Sequence, residues 1–259
     1  MTETFRQDPM GVEFEPQTDE ELESIFIAIP NLGKLSTFLV NILIRWFMGQ
    51  NYNIKLYTPC EMIPHSKARN TIHREFMNSG YDWLLTIDAD VVPPVDALRG
   101  LMSYVTDEEV ERHYVALTVQ MSKMTEKGAM LAPSAFNYDA NAGGYVIAQG
   151  EGLTQVDIAT LACTIRSREL MDAVGAGVYA ERPHGEYKNR TTGEDFVFGE
   201  KVLELVRDGH EEYKPWVDYN HICSHYVTTN TRALNDLLLK AESSGKQEAN
   251  SATTEATEG

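Results

Sequence analysis

The first half of the chain alternates short apolar runs with stretches of helical periodicity. Ser24–Pro30 (SIFIAIP), Asn53–Thr58, Asp82–Asp88 and His113–Val119 read as strands. Between them, Leu35–Phe47, stopped by Gly49, and Ser66–Ser79, with Ser66 as N-cap and Gly80 as C-cap, read as helices. Pro93-Pro94 ends the third strand, and Pro94 opens a further helix that runs to about Tyr104. A βαβαβαβ order predicts a mostly parallel sheet with helices on both faces.

The second half is less regular. Met130–Leu153, with Gly143-Gly144 inside it, predicts a hairpin or an irregular lobe, and Val156–Ile165 another strand. Glu169–Val174 reads as a short helix and Gly175–Thr192, rich in glycine, charge and tyrosine, as a loop. Glu194–Asp208 is a helix closed by Gly209. Lys214–Val217 and Ile222–Val227 read as short strands and Arg232–Lys240 as a last helix. The expected division is an N-terminal extension over 1–23, one α/β domain over 24–240 and a disordered acidic tail over 241–259, which has no apolar residue larger than alanine.

Composition narrows the classes. The net charge of -17 is concentrated at the ends, with -7 in residues 1–23 and -3 in residues 241–259. No basic stripe marks a nucleic-acid grip, and an acidic surface opposes tight non-specific binding to one. No apolar run reaches the roughly 18 residues that cross a bilayer; the longest, Phe38–Met48, is broken by Asn41 and Arg45. The N-terminus shows no secretory pattern, and Cys60, Cys163 and Cys223 have no CxxC spacing, so a cytoplasmic protein with reduced thiols is expected.

Candidate chemistry starts at Leu84-Leu85-Thr86-Ile87-Asp88-Ala89-Asp90. Strand side chains alternate, so Asp88 and Asp90 would share a face at the carboxyl end of a central strand, where open α/β sheets bind ligands. Two converging carboxylates repel each other unless a cation lies between them, and a divalent ion there could bridge to a diphosphate. The structural alternative is a turn whose aspartates cap the next helix. Arg69 lies at i-3 and i-7 from Ile72 and Phe76 and therefore faces inward, toward a phosphate or a carboxylate. Asp195 bears the same relation to Phe198 and Val202, although acids also favour helix N-termini through the macrodipole.

The segment YDWLLTIDADVVPP resembles the DxD region of GT-A-fold glycosyltransferases, especially family-2-like enzymes of the soluble bacterial and phage or viral type. Ala28-Ile29-Pro30-Asn31 resembles the first-strand end that meets the nucleotide, Ala68-Arg69-Asn70 an element upstream of the DxD strand, and Gly193-Glu194-Asp195 the start of the catalytic helix. The resemblance implies a GT-A-like fold with a smaller irregular acceptor-side lobe. It implies a nucleotide-diphosphate sugar donor, UDP-sugar foremost, at Pro30, Asn31, Arg69, Asn70, Asp88 and Ala89. It also implies Mn2+ or Mg2+ at Asp88, Asp90 and His225, with Asp195 as the base that takes the acceptor proton and Glu194 beside it for the acceptor. Direct displacement with inversion follows from a single base, and the acceptor hydroxyl is open between a glycan and a hydroxylated DNA base. Relatives often carry a glycine-rich turn where this chain reads Ile158-Ala159-Thr160-Leu161-Ala162-Cys163, a departure that bears on donor and acceptor identity.

Other readings attach to the same residues. A nucleotidyltransferase would share the carboxylate-metal chemistry, but Asn31-Leu32-Gly33-Lys34 is a poor phosphate loop. A non-catalytic sugar-nucleotide-binding module would bind donor without turnover. A zinc site at His221, Cys223 and His225 lacks a fourth ligand, and His221 reads as structural. Arg182, His184, Tyr187, Lys188 and Arg190 make the 175–192 loop basic and aromatic, as a solvated loop or as a cover for a diphosphate.

Overall fold

The computed structural model describes residues 22–49, 51–59, 63–125, 128–183 and 191–225. The N-terminal extension, Cys60, residues 184–190 of the basic loop, the helix expected at 232–240 and the acidic tail lie outside the described residues. The chain divides into two compact units, Met1–Ser224 and His225–Gly259, and His225 is the one described residue of the second.

The chain begins with β1 (Ser24–Ala28), α1 (Thr37–Gly49), β2 (Asn53–Tyr57), α2 (His65–Met77) and β3 (Trp83–Ile87). It continues through β4 (Val91–Val92), α3 (Ala97–Val105), β5 (Tyr114–Thr125) and β6 (Gly128–Pro133). Next come β7 (Ala135–Asp139), β8 (Gly144–Ile147), β9 (Leu153–Gln155), β10 (Ile158–Ala159) and β11 (Cys163–Ser167). The remaining elements are α4 (Arg168–Val174), β12 (Arg182–Pro183), β13 (Thr191–Thr192), α5 (Glu194–Arg207), a 3-10 turn at Glu211–Tyr213 and β14 (Trp216–His225).

A nine-stranded sheet runs in the order β2-β1-β3-β11-β5-β14-β4, with β6 on β5 and β9 on β14. β1 pairs in parallel with β2 and β3, and β5 with β14, while β11 is antiparallel to both β3 and β5. β10, β7 and β8 form a separate three-stranded antiparallel sheet. The mostly parallel central sheet, flanking helices and smaller lobe expected from the sequence are thus the architecture the chain adopts.

Period-two burial on both faces explains the layering. Ile25 and Ile27 of β1 face α1 and α3, in a core with Leu39, Leu43, Leu98 and Leu101. Phe26 and Ala28 face the other way, in a core with Ile72 and Phe76 of α2, Leu170 of α4 and Phe198 and Val202 of α5. Each of the larger of these side chains contributes about 1.5–3 kcal/mol when fully buried. Among the described residues, no helix is long and apolar enough to cross a membrane.

Four local expectations are corrected. Ser66 lies inside α2, whose N-cap is Pro64, and Asn78 rather than Gly80 is its C-cap. The single strand expected over Val156–Ile165 is two, β10 and β11, because Thr160 and Ala162 make backbone bonds to other elements at the break: Thr160 N–H donates to Ser134 O at 3.0 Å, and Ala162 O accepts from Asp88 N–H at 2.8 Å. The strands expected at 214–217 and 222–227 are one, β14, with its register shifted between Asp218 and Ile222. The buried Asp218 carboxylate causes the irregularity by accepting from the N–H groups of Asn220 and His221. β3 ends at Ile87, and Asp88–Val91 is a turn closed by Val91 N–H to Asp88 O at 2.9 Å.

Helix α5 lies against β10 through Gly199, where an added Cβ would sit 2.9 Å from Cγ2 of the fully buried Ile158. A stiff, enclosed β-branched neighbour has nowhere to move. Gly199→Ala is therefore expected to lower stability by about 1–2 kcal/mol in urea unfolding, with overpacking of about 1–3 kcal/mol partly offset by alanine's helix propensity. A more stable variant would show that the contact yields.

Candidate active site

Four segments converge at the carboxyl end of β3. Arg69 is almost fully buried on α2, and its guanidinium reaches Asp88 Oδ1 at 3.0 Å, Glu194 Oε1 at 3.2 Å and Asp195 Oδ1 at 3.8 Å. It also donates to Leu161 O at 3.4 Å. Leu161 N–H in turn donates to Asp195 Oδ2 at 3.3 Å. The strap Thr160-Leu161-Ala162, between β10 and β11, thus ties the β3 end, α2 and the α5 start together through its backbone. The sequence marked this stretch only as a departure from a glycine-rich turn and gave no sign of this role, because the groups involved are peptide N–H and C=O.

Three carboxylates around one guanidinium set the electrostatics. Burial alone would lower the affinity of Arg69 for its proton, but Asp88, Asp195 and Glu194 outweigh it, so Arg69 is held charged more firmly than a free arginine. Asp88 is raised above the ordinary carboxylate range by burial, against the pull of Arg69, and Asp90 adds to the rise. Asp195 is pushed up to about 6, chiefly by burial, opposed by Arg69 and reinforced by Asp88 and Glu194. Its Oδ1 is buried without a hydrogen bond. Helix α5 has no side-chain cap at Gly193, so Glu194 and Asp195 are the anionic groups in its first turn.

The expected site residues fall into two sets. Arg69, Asp88, Glu194 and Asp195 are brought together. Asp90 sits in the exposed turn after Asp88, so the two aspartates approach through a turn and not through strand alternation, which corrects that geometry. Ala89 is half-buried between them. At the end of β1, Asn31 accepts from Gly33 N–H at 2.9 Å and donates to Ile29 O and Pro59 O, with Pro30 half-buried beside it. The Asn70 carboxamide is spent on the backbone of Tyr179, donating to its O at 2.7 Å and accepting from its N–H at 3.2 Å. His225 is the last residue of β14. His221 bonds through Nδ1 to Asp218 and lies 3.7 Å from Asp96 by Nε2, in keeping with a structural role.

Two further residues escaped the sequence reading. Arg166 on β11 is fully buried and donates to the Tyr179 hydroxyl and to Thr86 Oγ1 at 2.8 Å. Tyr179 stacks on Phe198 with centroids 5.1 Å apart. An arginine inside the apolar string Cys-Thr-Ile-Arg-Ser was the one available signal.

The donor set suits a hard divalent ion. Asp88 and Asp90 offer oxygen ligands, and carboxylates outnumber the guanidinium that neutralises them. Among the described residues there is no group of three or more His, Cys, Asp or Glu side chains that could hold a metal.

No family model matches the chain, and no curated protein sequence matches it. Among solved structures, it is similar to A197 from STIV, at a TM-score of 0.49 and 14% identity over 79% of this chain and 86% of that one. It is similar to GalNAc-T7, solved with UDP, GalNAc and Mn2+, at 0.49 and 10% identity over 82% of this chain and 45% of that one. It is also similar to residues 1–349 of S. aureus TarS with UDP-GlcNAc, at 0.44 and 11% identity over 80% of this chain and 60% of that one. The chain therefore spans about half the length of the second and three-fifths of the third.

Two outcomes follow from the charge cluster. Arg69→Met leaves three buried-side carboxylates uncompensated and is expected to cost about 3–5 kcal/mol at pH 8, less at pH 5, by denaturant unfolding. For Asp195, a folded value of about 6 against an ordinary 3.8 means that the folded state holds a proton the unfolded chain has lost between those values. Its contribution to stability is therefore greatest below about pH 4 and falls as pH rises to 6. Asp195→Asn should flatten that fall and be more stable than the parent at pH 8 in EDTA; parallel pH profiles would refute the assignment.

Proposed function

We propose that the chain is a glycosyltransferase that moves a sugar from a nucleotide-diphosphate sugar, a UDP-sugar first, to an acceptor hydroxyl with inversion. The observation that carries this reading is Asp195. It is a carboxylate at a helix start, pushed up to about 6, with one oxygen lacking a hydrogen-bond partner and sharing Arg69 with Asp88 at a sheet's carboxyl end. A base with a value near 6 is ionised at neutral pH yet still takes up a proton readily.

In the proposed reaction, Asp195 accepts the acceptor hydroxyl proton as that oxygen forms its bond to the anomeric carbon. The bond from that carbon to the diphosphate oxygen breaks, and its electron pair leaves with the nucleoside diphosphate. An Mn2+ or Mg2+ ion at Asp88 and Asp90 would neutralise charge on that diphosphate. Each of the three guanidinium nitrogens of Arg69 already donates to the protein, to Glu194, Leu161 and Asp88, so we assign it to holding the carboxylates in place. Glu194, gripped by Arg69 beside the base, sets the position of α5.

The test is a thermal-shift screen of UDP- and GDP-sugars with and without Mn2+, followed by product assay. A donor should stabilise the protein only with metal, and Asp88→Asn should abolish the shift. Asp195→Asn should remove transfer by about a thousandfold or more while metal-dependent donor binding persists. The parent rate should climb through about pH 6 and level above it. An active Asp195→Asn enzyme would sink the base assignment, and a donor that binds without ever turning over would indicate a binding module.

A further inference from the structure

We infer that the aromatic side chains beside Asp195 form a stacking platform for the acceptor, and that this acceptor is a neutral carbohydrate. The inference rests on the transferase reading for the identity of the site and goes on to name the substrate class.

Phe196 follows Asp195 in the first turn of α5. Its ring lies 4.9 Å from Phe136 of β7 and 5.8 Å from Tyr145 of β8, and Tyr145 lies 5.7 Å from Tyr138 of β7. Four rings thus run outward from the residue next to the base onto the small lobe. They are not a closed miniature core: Phe136, Tyr145 and Phe196 are only half-buried, and Tyr138 is 57% exposed. The lobe holds them in place. Tyr138 N–H donates to Asp157 Oδ2 at 2.8 Å, and Asp157 N–H donates to Asn137 Oδ1 at 3.0 Å. The β7–β8 hairpin turns through Gly143 at φ 65, a conformation that favours glycine.

An open, fixed aromatic face takes either a sugar ring or a nucleobase. The C–H bonds on one face of a pyranose carry partial positive charge and meet the negative face of an aromatic ring. A nucleic acid would also bring phosphates, which need lysine or arginine nearby. From Gly128 to Ile165 the sequence has no lysine, arginine or histidine, while Asp139, Glu151 and Asp157 are present. Among the described residues the nearby cations are outnumbered or engaged: Tyr145 feels Glu200 and Asp157 against Arg207, Lys214 lies 4.0 Å from Asp157, and Arg182 pairs with Glu200 at 3.3 Å. Charge therefore favours an uncharged polyhydroxylated ring over a phosphodiester.

The test uses the full chain without donor. Saturation-transfer NMR and titration with chitohexaose, cellohexaose, maltohexaose and mannohexaose are compared with a DNA duplex containing 5-hydroxymethylcytosine. At least one oligosaccharide should bind through its ring protons, and the duplex should not bind. Tyr138→Ala should weaken that affinity about tenfold, and Tyr138→Phe should restore it to within about twofold. Because Tyr138 is mostly exposed, the thermal midpoint of Tyr138→Ala reports any loss of fold separately. Failure of all four sugars to bind, unchanged affinity in Tyr138→Ala, or preferential binding of the duplex would overturn the inference. Turnover onto DNA would overturn it while leaving the transferase reading intact. A chain that turns over no donor would count against that reading, and the sugar titration would still be decided by its own result.

Discussion

A guanidinium that is almost wholly removed from water, facing three carboxylates, is the constraint on which this site rests. Arg69 could not be buried alone, and Asp88, Glu194 and Asp195 could not be brought so close without it. Its partners come from three parts of the chain: a strand end, a helix start and, through Leu161, the strap before β11. The pairing therefore acts between elements and fixes how far α2, β3 and α5 may drift apart. Charge remains uneven after all these contacts are made, and the excess is negative. In the proposed reaction that imbalance, more than any single aspartate, is what a cation would neutralise.

Much of this was legible beforehand, and the reason is local. β1 and β3 are short apolar runs buried on both faces, and the 3.6-residue spacing of Arg69 to Ile72 and Phe76 was enough to turn the arginine inward. The same spacing turned Asp195 toward the sheet. What the spacing could not supply was the partner. Whether an inward arginine meets a phosphate, an acid or both is decided by residues more than a hundred positions away, as Glu194 is.

The misplaced features share a cause. Asp88 and Asp90 were expected to alternate on a strand, but Val91 turns back onto Asp88 O while Ala162 takes the Asp88 N–H, and that second contact is non-local. The break between β10 and β11 and the irregularity in β14 likewise arise where a distant strand or a buried carboxylate claims backbone groups. Asn70 is the plainest case: its amide chemistry would serve a ribose equally well, and only the fold reveals that Tyr179 occupies both ends of it.

The contact of Gly199 with Ile158 has a consequence for how such chains can diverge. The absent side chain lets α5 settle directly on β10, and the first turn of that helix carries Asp195 and Phe196. Positions 158 and 199 thus form one unit of sequence variation. A lineage that places alanine at 199 has to shorten the residue at 158 in compensation, or the helix lifts and carries the carboxylate with it. In a lineage that keeps glycine at 199, a small residue at 158 would instead leave the helix loosely seated, so the two positions would be inherited as a pair.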